Sequence, residues 1–335
     1  MVSLKDIALR CDVSVATVSK ALNGQQDIGE ATRQRVLSAA KEMGYTVNSA
    51  ARALKTNRTG NLGILFVDLQ NSGFMHEYFA SMLNYFRIEA EQRGYDLTFI
   101  NTNIGHQYRS FLQHAQYRGV DGVAIICADF RDPLVQELAN SRLPVVTLDH
   151  AYHNRTAVMS DNIDGMTELV RYIYSKGHRR IAYIHGNDTS VTENRMTGFF
   201  RACEALGLTV PEEYILGCEY HEPNSCYTAT KALLALPERP TCILFSDDYS
   251  YIGGANAISE AGLRIPEDIS VAGYDGIHLA KVVSPRLTTW EQNTAALGKL
   301  AAEKLIERIE HPRTVLPEHI VVHGRLLEGE TVRQL

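Results

Sequence analysis

At Asn61 the chain changes its period. Upstream, apolar residues recur three and four apart in short segments, the spacing of small amphipathic helices. Downstream, apolar runs at 62–67, 97–100, 120–127, 144–148, 181–185, 241–245 and 269–274 alternate with amphipathic stretches at about 75–93, 107–118, 132–141, 164–177, 195–207, 225–236, 249–262 and 293–310. Strands that alternate with helices predict doubly wound parallel sheets, because each crossover helix covers a sheet face. There are too many strands for one compact sheet, and the helix-Gly-strand join recurs in both halves (Arg93-Gly94-Tyr95, Lys176-Gly177-His178). The expected class is α/β: an all-α head on a body of two similar lobes.

Charge follows the same boundary. The 335 residues carry a net charge of −6, yet residues 1–60 hold nine basic and five acidic side chains. A basic head on an acidic body points to nucleic acid at the N-terminus. A 45% hydrophobic and 21% charged composition excludes disorder as the main state. Six cysteines show neither C-x-x-C pairing nor zinc-finger spacing, so reduced buried thiols and no metal are expected. Met1-Val2-Ser3-Leu4-Lys5-Asp6 is no signal core, and no apolar run reaches the ~18 residues of a membrane span. A cytoplasmic protein with no membrane partner is expected. Nucleotide-binding glycine loops and hydrolase motifs are absent, which argues against an enzyme and against a cofactor.

Three helices are predicted in the head: Leu4 to Cys11, Val15 to Leu22 capped by Ser14, and Glu30 to Met43 with Val36, Leu37, Ala40 and Met43 inward. Two short helices joined by about three residues form a helix-turn-helix. Its second helix presents Val15, Ala16 and Lys20 outward. Small apolar groups suit a thymine methyl, and a lysine can donate to guanine. Thr17 and Ser19 are placed for phosphate. The competing reading is a plain three-helix bundle with a solvated face. Residues 48–59 carry three positive charges and no negative one. Asn48 could cap a helix over 49–55, with Arg52 and Lys55 toward phosphate, but so short a helix orders only against a partner. Leu54 either touches the body or wedges into the minor groove.

Leu4-Lys5-Asp6-Ile7-Ala8, the run from Val13 to Gly24, Thr32-Arg33-Gln34-Arg35-Val36, Gly44-Tyr45 and Asn48…Ala51-Arg52-Ala53-Leu54 together resemble the lactose/galactose repressor family (LacI–GalR type) almost position for position. The likeness continues through the body. It implies a homodimeric transcriptional regulator on a pseudo-palindromic double-stranded operator, with hinge-helix leucines prising the central step. It also implies a periplasmic-binding-protein-like body whose lobes are joined by three crossovers, near Ser160, Thr289–Gln292 and Val322–Gly324. The expected division is a head at 1–46, a hinge helix and linker at 47–60, and an effector and dimerisation body at 61–335. Lobe 1 takes about 61–160 and 292–322, and lobe 2 about 161–290 and 324–335. Two departures touch the head: Lys20 stands where arginine is usual, and Gly29 where serine is common.

In open parallel sheets, ligands sit at the carboxyl ends of strands. That rule selects Asn71, Phe74, Asp161 and Asp247 as candidate effector contacts. Asp129 and Asp248 read better as helix caps, and His185 as a structural histidine. The family motifs add Arg195, taken to open its helix, and Asp275; a looser match adds Tyr220, beside His221, as an aromatic wall. Asp247-Asp248 replaces the common Asn-Asp, and an extra acceptor-only carboxylate favours a neutral, hydroxyl-rich effector, a sugar. Trp290, the only tryptophan, replaces a smaller aliphatic residue and either fills the hinge core or floors the cleft. The alternatives to a sugar-controlled repressor are a purine- or nucleoside-responsive regulator, a carbohydrate-binding protein of the same fold, and an α/β enzyme with an accessory DNA module.

Overall fold

A computed structural model describes residues 2–22, 25, 27–45, 58–68, 75–105 and 107–335. The chain divides into two compact units, Met1–Thr59 and Gly60–Leu335.

The first unit holds α1 (Leu4–Cys11), α2 (Val15–Leu22) and α3 (Glu30–Glu42). Ser3 and Asp6 cap α1 reciprocally, each side chain accepting from the other's backbone N–H. Asp12 then takes a left-handed conformation (φ 50°) and turns the chain. Ser14 Oγ accepts from Thr17 N at 3.0 Å and starts α2. Gly29 caps α3 without a side-chain bond. Ile7, Ala8, Cys11, Val18, Ala21, Val36, Ala39 and Ala40 form the core. Burying one valine such as Val18 contributes roughly 1.5–3 kcal/mol. Leu37, expected inward, is exposed: Ala39 takes the inward place, because the buried stripe runs through 36 and 40, and 37 lies about 100° around the helix from 36.

The second unit begins with β1 (Asn61–Phe66), α4 (Glu77–Gln92), β2 (Asp96–Ile100), a small hairpin of β3 (Asn103–Ile104) and β4 (Gln107–Tyr108), α5 (Phe111–Arg118), β5 (Gly122–Cys127), α6 (Pro133–Asn140), β6 (Val145–Leu148) and β7 (Thr156–Ser160). The chain then enters a second lobe: α7 (Asn162–Ser175), β8 (Ile181–His185), α8 (Ser190–Ala205), β9 (Ile215–Gly217), α9 (Pro223–Leu234), β10 (Cys242–Phe245), α10 (Ser250–Glu260), β11 (Ser270–Asp275), α11 (His278–Val282) and β12 (Thr288–Glu291). It returns to the first lobe for α12 (Thr294–Glu310) and β13 (His319–Val322), and ends in the second with β14 (Arg325–Leu327). The lobes are thus joined three times, around Asp161, Gln292–Asn293 and His323–Gly324. Asp161 N donates to the Val322 carbonyl at 3.0 Å, tying the first crossover to the third.

The sheets run β13-β7-β6-β5-β1-β2 and β14-β12-β11-β10-β8-β9. In the first lobe α4 and α12 cover one face, with Met82, Phe86, Leu297 and Leu305 against Leu62 and Ile64. The opposite face packs Phe111, Val135 and Leu138 on Leu65 and Ile125. In the second lobe Met166, Leu169 and Phe199 of α7 and α8 cover Tyr183 and Leu244. Leu233 and Ile258 of α9 and α10 cover Ile184 and Phe245. The inner strands are buried on both sides, which is why their runs read as continuously apolar.

Two expectations shift. The helix expected at 195 begins at Ser190, because Thr189 Oγ1 accepts from Thr192 N and caps it five residues earlier. The helix expected from 107 begins at Phe111, capped by Ser110, and 107–108 pair as a strand instead. Trp290 lies in the second-lobe core, its ring edge wedged where side chains at Gly165 or Gly324 would stand. It fills a gap at the hinge. No helix among the described residues is long and apolar enough to cross a membrane.

Candidate functional site

On the first unit, α2 carries no acidic side chain and leaves Val15, Ala16 and Lys20 exposed, with Thr17 and Ser19 half-buried. Lys20 Nζ pairs with Asp27 at 2.5 Å in solvent, so the lysine must leave that partner to reach a base. Such an exposed pair contributes about 0–1 kcal/mol and yields easily. Asn48, Arg52, Leu54 and Lys55 lie outside the described residues, as do Asn71 and Phe74.

In the second unit the strand ends of the two lobes converge on Arg195, the one buried arginine or lysine among the described residues. Helix α8 places it one turn and a half past the Thr189 cap. Its Nε donates to Asn162 Oδ1 at 2.8 Å, Nη1 to the Ser246 carbonyl at 2.7 Å, and Nη2 to Asp275 Oδ1 at 3.4 Å. The guanidinium carbon lies 3.7 Å from the centroid of the Tyr274 ring, a stacked cation–π contact. Gln292, at the second crossover, donates to the same Asp275 oxygen at 2.6 Å. Tyr220 packs its ring over Gly186, where a side chain would collide with it, and shares a 2.9 Å hydrogen bond with Thr192. The first lobe answers with Asp149, which accepts from Ser160 N at 2.6 Å and from the Tyr78 hydroxyl at 3.2 Å. Ser190 Oγ donates to the Asp149 carbonyl at 2.9 Å across the gap. A cavity of about 570 Å³ opens beside Tyr78, Asp275 and Gln292.

Of the four non-glycine residues with left-handed backbone among the described residues, Asp149 (φ 50°), His221 (φ 60°) and Asp275 (φ 105°) lie here. Strain gathered in one place marks a site the fold over-determines. The electrostatics are strained as well. Burial pushes Asp275 up to about 6 despite the neighbouring Arg195. Burial likewise raises Asp149 and Asp248. For Asp247, burial opposes ionisation, but bonds from His221 and Ser250 outweigh it and hold the carboxyl below its usual range. His221, paired with Asp247, is held above the usual histidine value against its own burial. Burial next to His221 takes His76 down to about 3.

The adjacent carboxylates diverge. Asp247 accepts from Tyr249 N and Ser250 N at 2.8 and 2.7 Å and so caps α10. Asp248, expected as the cap, instead accepts from Thr289 Oγ1 at 2.6 Å and Ile277 N at 2.9 Å. Asp129 does not cap either: it accepts from Arg131 N, and α6 is capped by Asp132. Asp161 caps α7 and pairs with His323 at 2.7 Å; its neighbour Asn162 is the residue bonded to Arg195. Arg195, Tyr220, Asp247 and Asp275 therefore gather with Asn162, the neighbour of the expected Asp161, and with Asp149, Gln292 and His76, which the strand-end rule did not select. His185 bonds the Gly186 carbonyl through Nδ1.

Comparison with known proteins follows this geometry. Residues 3–48 match the model of bacterial regulatory proteins of the lacI family, and 170–332 that of the periplasmic binding protein-like domain. The HTH-type transcriptional repressor PurR of Escherichia coli O139:H28 (strain E24377A / ETEC) is 34% identical over 338 residues, covering 99% of this chain and 97% of that one. A structure of the transcriptional regulator CelR–cellobiose complex aligns with TM-score 0.72 and 26% identity over 99% of this chain and 100% of the other. The lac repressor dimer bound to operator and the anti-inducer ONPF aligns with TM-score 0.81 and 22% identity over 99% of each, a likeness of fold.

Proposed function

This chain belongs to the lacI family of bacterial regulatory proteins and is a DNA-binding transcriptional repressor, not an enzyme; we propose that α2 reads its operator and that Arg195 centres a site for a neutral, hydroxyl-rich effector, a sugar. One observation carries the effector reading. A single buried guanidinium bonds the buried carboxylate of Asp275, the same lobe buries Asp247 and Asp248 as well, and Asp149 lies opposite. Burial already opposes ionisation of these groups, and an anionic ligand would add to the surplus. Sugar hydroxyls donate to carboxylates and accept from the guanidinium. The adjoining cavity falls within the ~300–1,000 Å³ of small-molecule sites. Cellobiose bound to CelR, the 26% identical structural neighbour, supports the same class.

A purine or nucleoside is the second reading. The flat rings of His76, His221 and Tyr220, with centroids 3.6 and 5.7 Å apart in sequence, favour it. Thermal-shift titration of mono- and disaccharides against nucleobases and nucleosides separates the two. A sugar should raise the melting temperature and change operator affinity by the ~5–150-fold of an ordinary coupling. Stabilisation by nucleobases alone would replace the sugar reading. Trp290 emission should move with the same titration, because its ring sits between two crossovers.

For DNA, Val15, Ala16 and Lys20 are proposed to meet base edges and Thr17 and Ser19 phosphates. Asn48, Arg52, Leu54 and Lys55 follow in sequence as proposed minor-groove and backbone contacts. The protein is proposed to work in the cytoplasm as a homodimer on a pseudo-palindrome, and fluorescence anisotropy against salt tests this. Lys20→Ala should cost ~1–3 kcal/mol on operator and relax preference at one base pair. A loss as large on random DNA would remove Lys20 from the base-reading set.

A further inference from the structure

The imidazole of His76, from the first lobe, lies against that of His221, from the second, with centroids 3.6 Å apart and planes tilted by 42°. Both ring nitrogens of His76 are buried without a hydrogen-bond partner, and so is Nδ1 of His221. Asp247 completes the group, its Oδ1 3.6 Å from His221 Nδ1. One donor atom from each of these three residues lies within 4.8 Å of the other two. His76 is 3% exposed, so water does not reach it from bulk. Protein interiors rarely leave polar atoms unpaired, and the two orphaned nitrogens of His76 call for a partner; His221 Nδ1 has only its long ion-pair contact with Asp247. Contact between the two tilted rings leaves the His76 nitrogens empty.

We propose that His76, His221 and Asp247 form a site for a transition-metal cation of the zinc class, bridging the two lobes. Two imidazoles and a carboxylate are a donor set zinc accepts, and three protein ligands leave a fourth position for water or an effector hydroxyl. The supporting groups are in place. Asp247 is fixed by two backbone N–H groups at the start of α10 and by the hydroxyls of Ser246 and Ser250 at 3.0 and 2.7 Å. His76 is held among Phe79, Tyr78 and Tyr249. Zinc–nitrogen bonds of about 2.0–2.1 Å place tetrahedral donors roughly 3.3–3.5 Å apart. The donors must therefore draw together, and since His76 sits on one lobe and its partners on the other, a bound ion favours the closed pair. That regulatory consequence rests on the cleft being the effector site; metal binding itself does not.

The test uses the full chain, stripped with chelator, reduced, and without DNA or organic ligand. Cobalt(II) is titrated as a spectroscopic probe, zinc by calorimetry. One ion per chain is expected, with tetrahedral cobalt bands and no thiolate charge-transfer band. His76→Phe and His221→Phe keep a flat ring in place. Each should weaken binding by more than the ~10–100-fold that loss of an outer-shell partner costs. Absence of binding by the full chain, or binding by both variants as tight as that of the wild-type chain, overturns the site. Should a variant melt early, zinc-edge X-ray absorption of the loaded wild-type chain decides: imidazole and oxygen scattering sustains the site, and sulfur scattering from the six cysteines overturns it. A failed metal titration leaves the sugar reading intact, and a failed sugar screen leaves the metal site intact.

Discussion

The two lobes share one strand order and differ at their strand ends. Matched from the inner edge, β7-β6-β5-β1-β2 corresponds to β12-β11-β10-β8-β9, and each sheet is sandwiched between helix pairs in the same way. The last strand breaks the correspondence: β13 pairs parallel with β7, whereas β14 pairs antiparallel with β12. The chemistry differs more. The second lobe supplies Arg195, Asp247, Asp248 and Asp275, all buried, while the first supplies Asp149, His76 and Tyr78. A common scaffold thus carries one lobe that holds the charge and another that closes over it. Sheet topology is set by strand hydrophobicity and twist; strand-end side chains are free of that constraint and can diverge.

The comparison breaks most readily at Arg195. Arg195→Met leaves Asp275 buried without its charge partner, held by Gln292 alone, and denaturant unfolding should show a loss of about 3–5 kcal/mol together with loss of effector response. A loss below about 1 kcal/mol would show that the charged lobe does not depend on this group. Next come two glycines at equivalent helix crossings. A Cβ at Gly298 of α12 would stand 2.1 Å from the Met82 carbonyl of α4, and one at Gly198 of α8 2.3 Å from the Ile163 carbonyl of α7. Alanine at either should cost a net ~1–3 kcal/mol despite its better helix propensity, since backbone must move. Similar melting shifts in the two variants sharpen the scaffold equivalence, and tolerance at one alone breaks it. The smallest effect belongs to Arg131, which reaches across the lobes to Asp188 at 3.3 Å with both side chains mostly in solvent. Arg131→Ala should change stability by about 0–1 kcal/mol. A larger drop in the melting temperature would mean that this rim contact, and not the buried cluster, holds the lobes together.

What the sequence disclosed follows the range of the forces involved. The bounds of α1 and α2 are legible because caps and helical spacing are local: Ser14 and the Val18–Leu22 face announce themselves within about one turn, although the structure buries Ala21 and leaves Leu22 half-buried. The inner strands are legible because burial on both faces makes them uniformly apolar. The strands β9, β13 and β14 are not, since they are short and lie at sheet edges, where one face is wet, and β7 and β12 are not, since Thr156, Ser160, Thr288 and Thr289 break their apolar runs. The strand-end rule found Asp247, and the family motif found Arg195 and Asp275. Asn162 was passed over for its neighbour Asp161, because which of two adjacent polar residues caps the helix and which turns inward depends on tertiary packing. His76, His221 and Asp247 are separated by 145 and 26 residues, so no spacing pattern could join them.

The three passages between lobes also set the order in which the molecule can be made. The core of the first lobe is completed by Leu297, Ala301, Leu305 and Ile306 of α12, which follow the whole second-lobe run from α7 to β12. At ~5–20 residues per second, a ribosome reaches α12 roughly 7–27 s after β7. Through that interval Leu62, Ile64 and Phe86 lack their cover while the second lobe assembles beside them. A nascent chain stalled before Thr294 therefore holds an unfinished first lobe, and truncation there should yield a chaperone substrate in place of a smaller repressor.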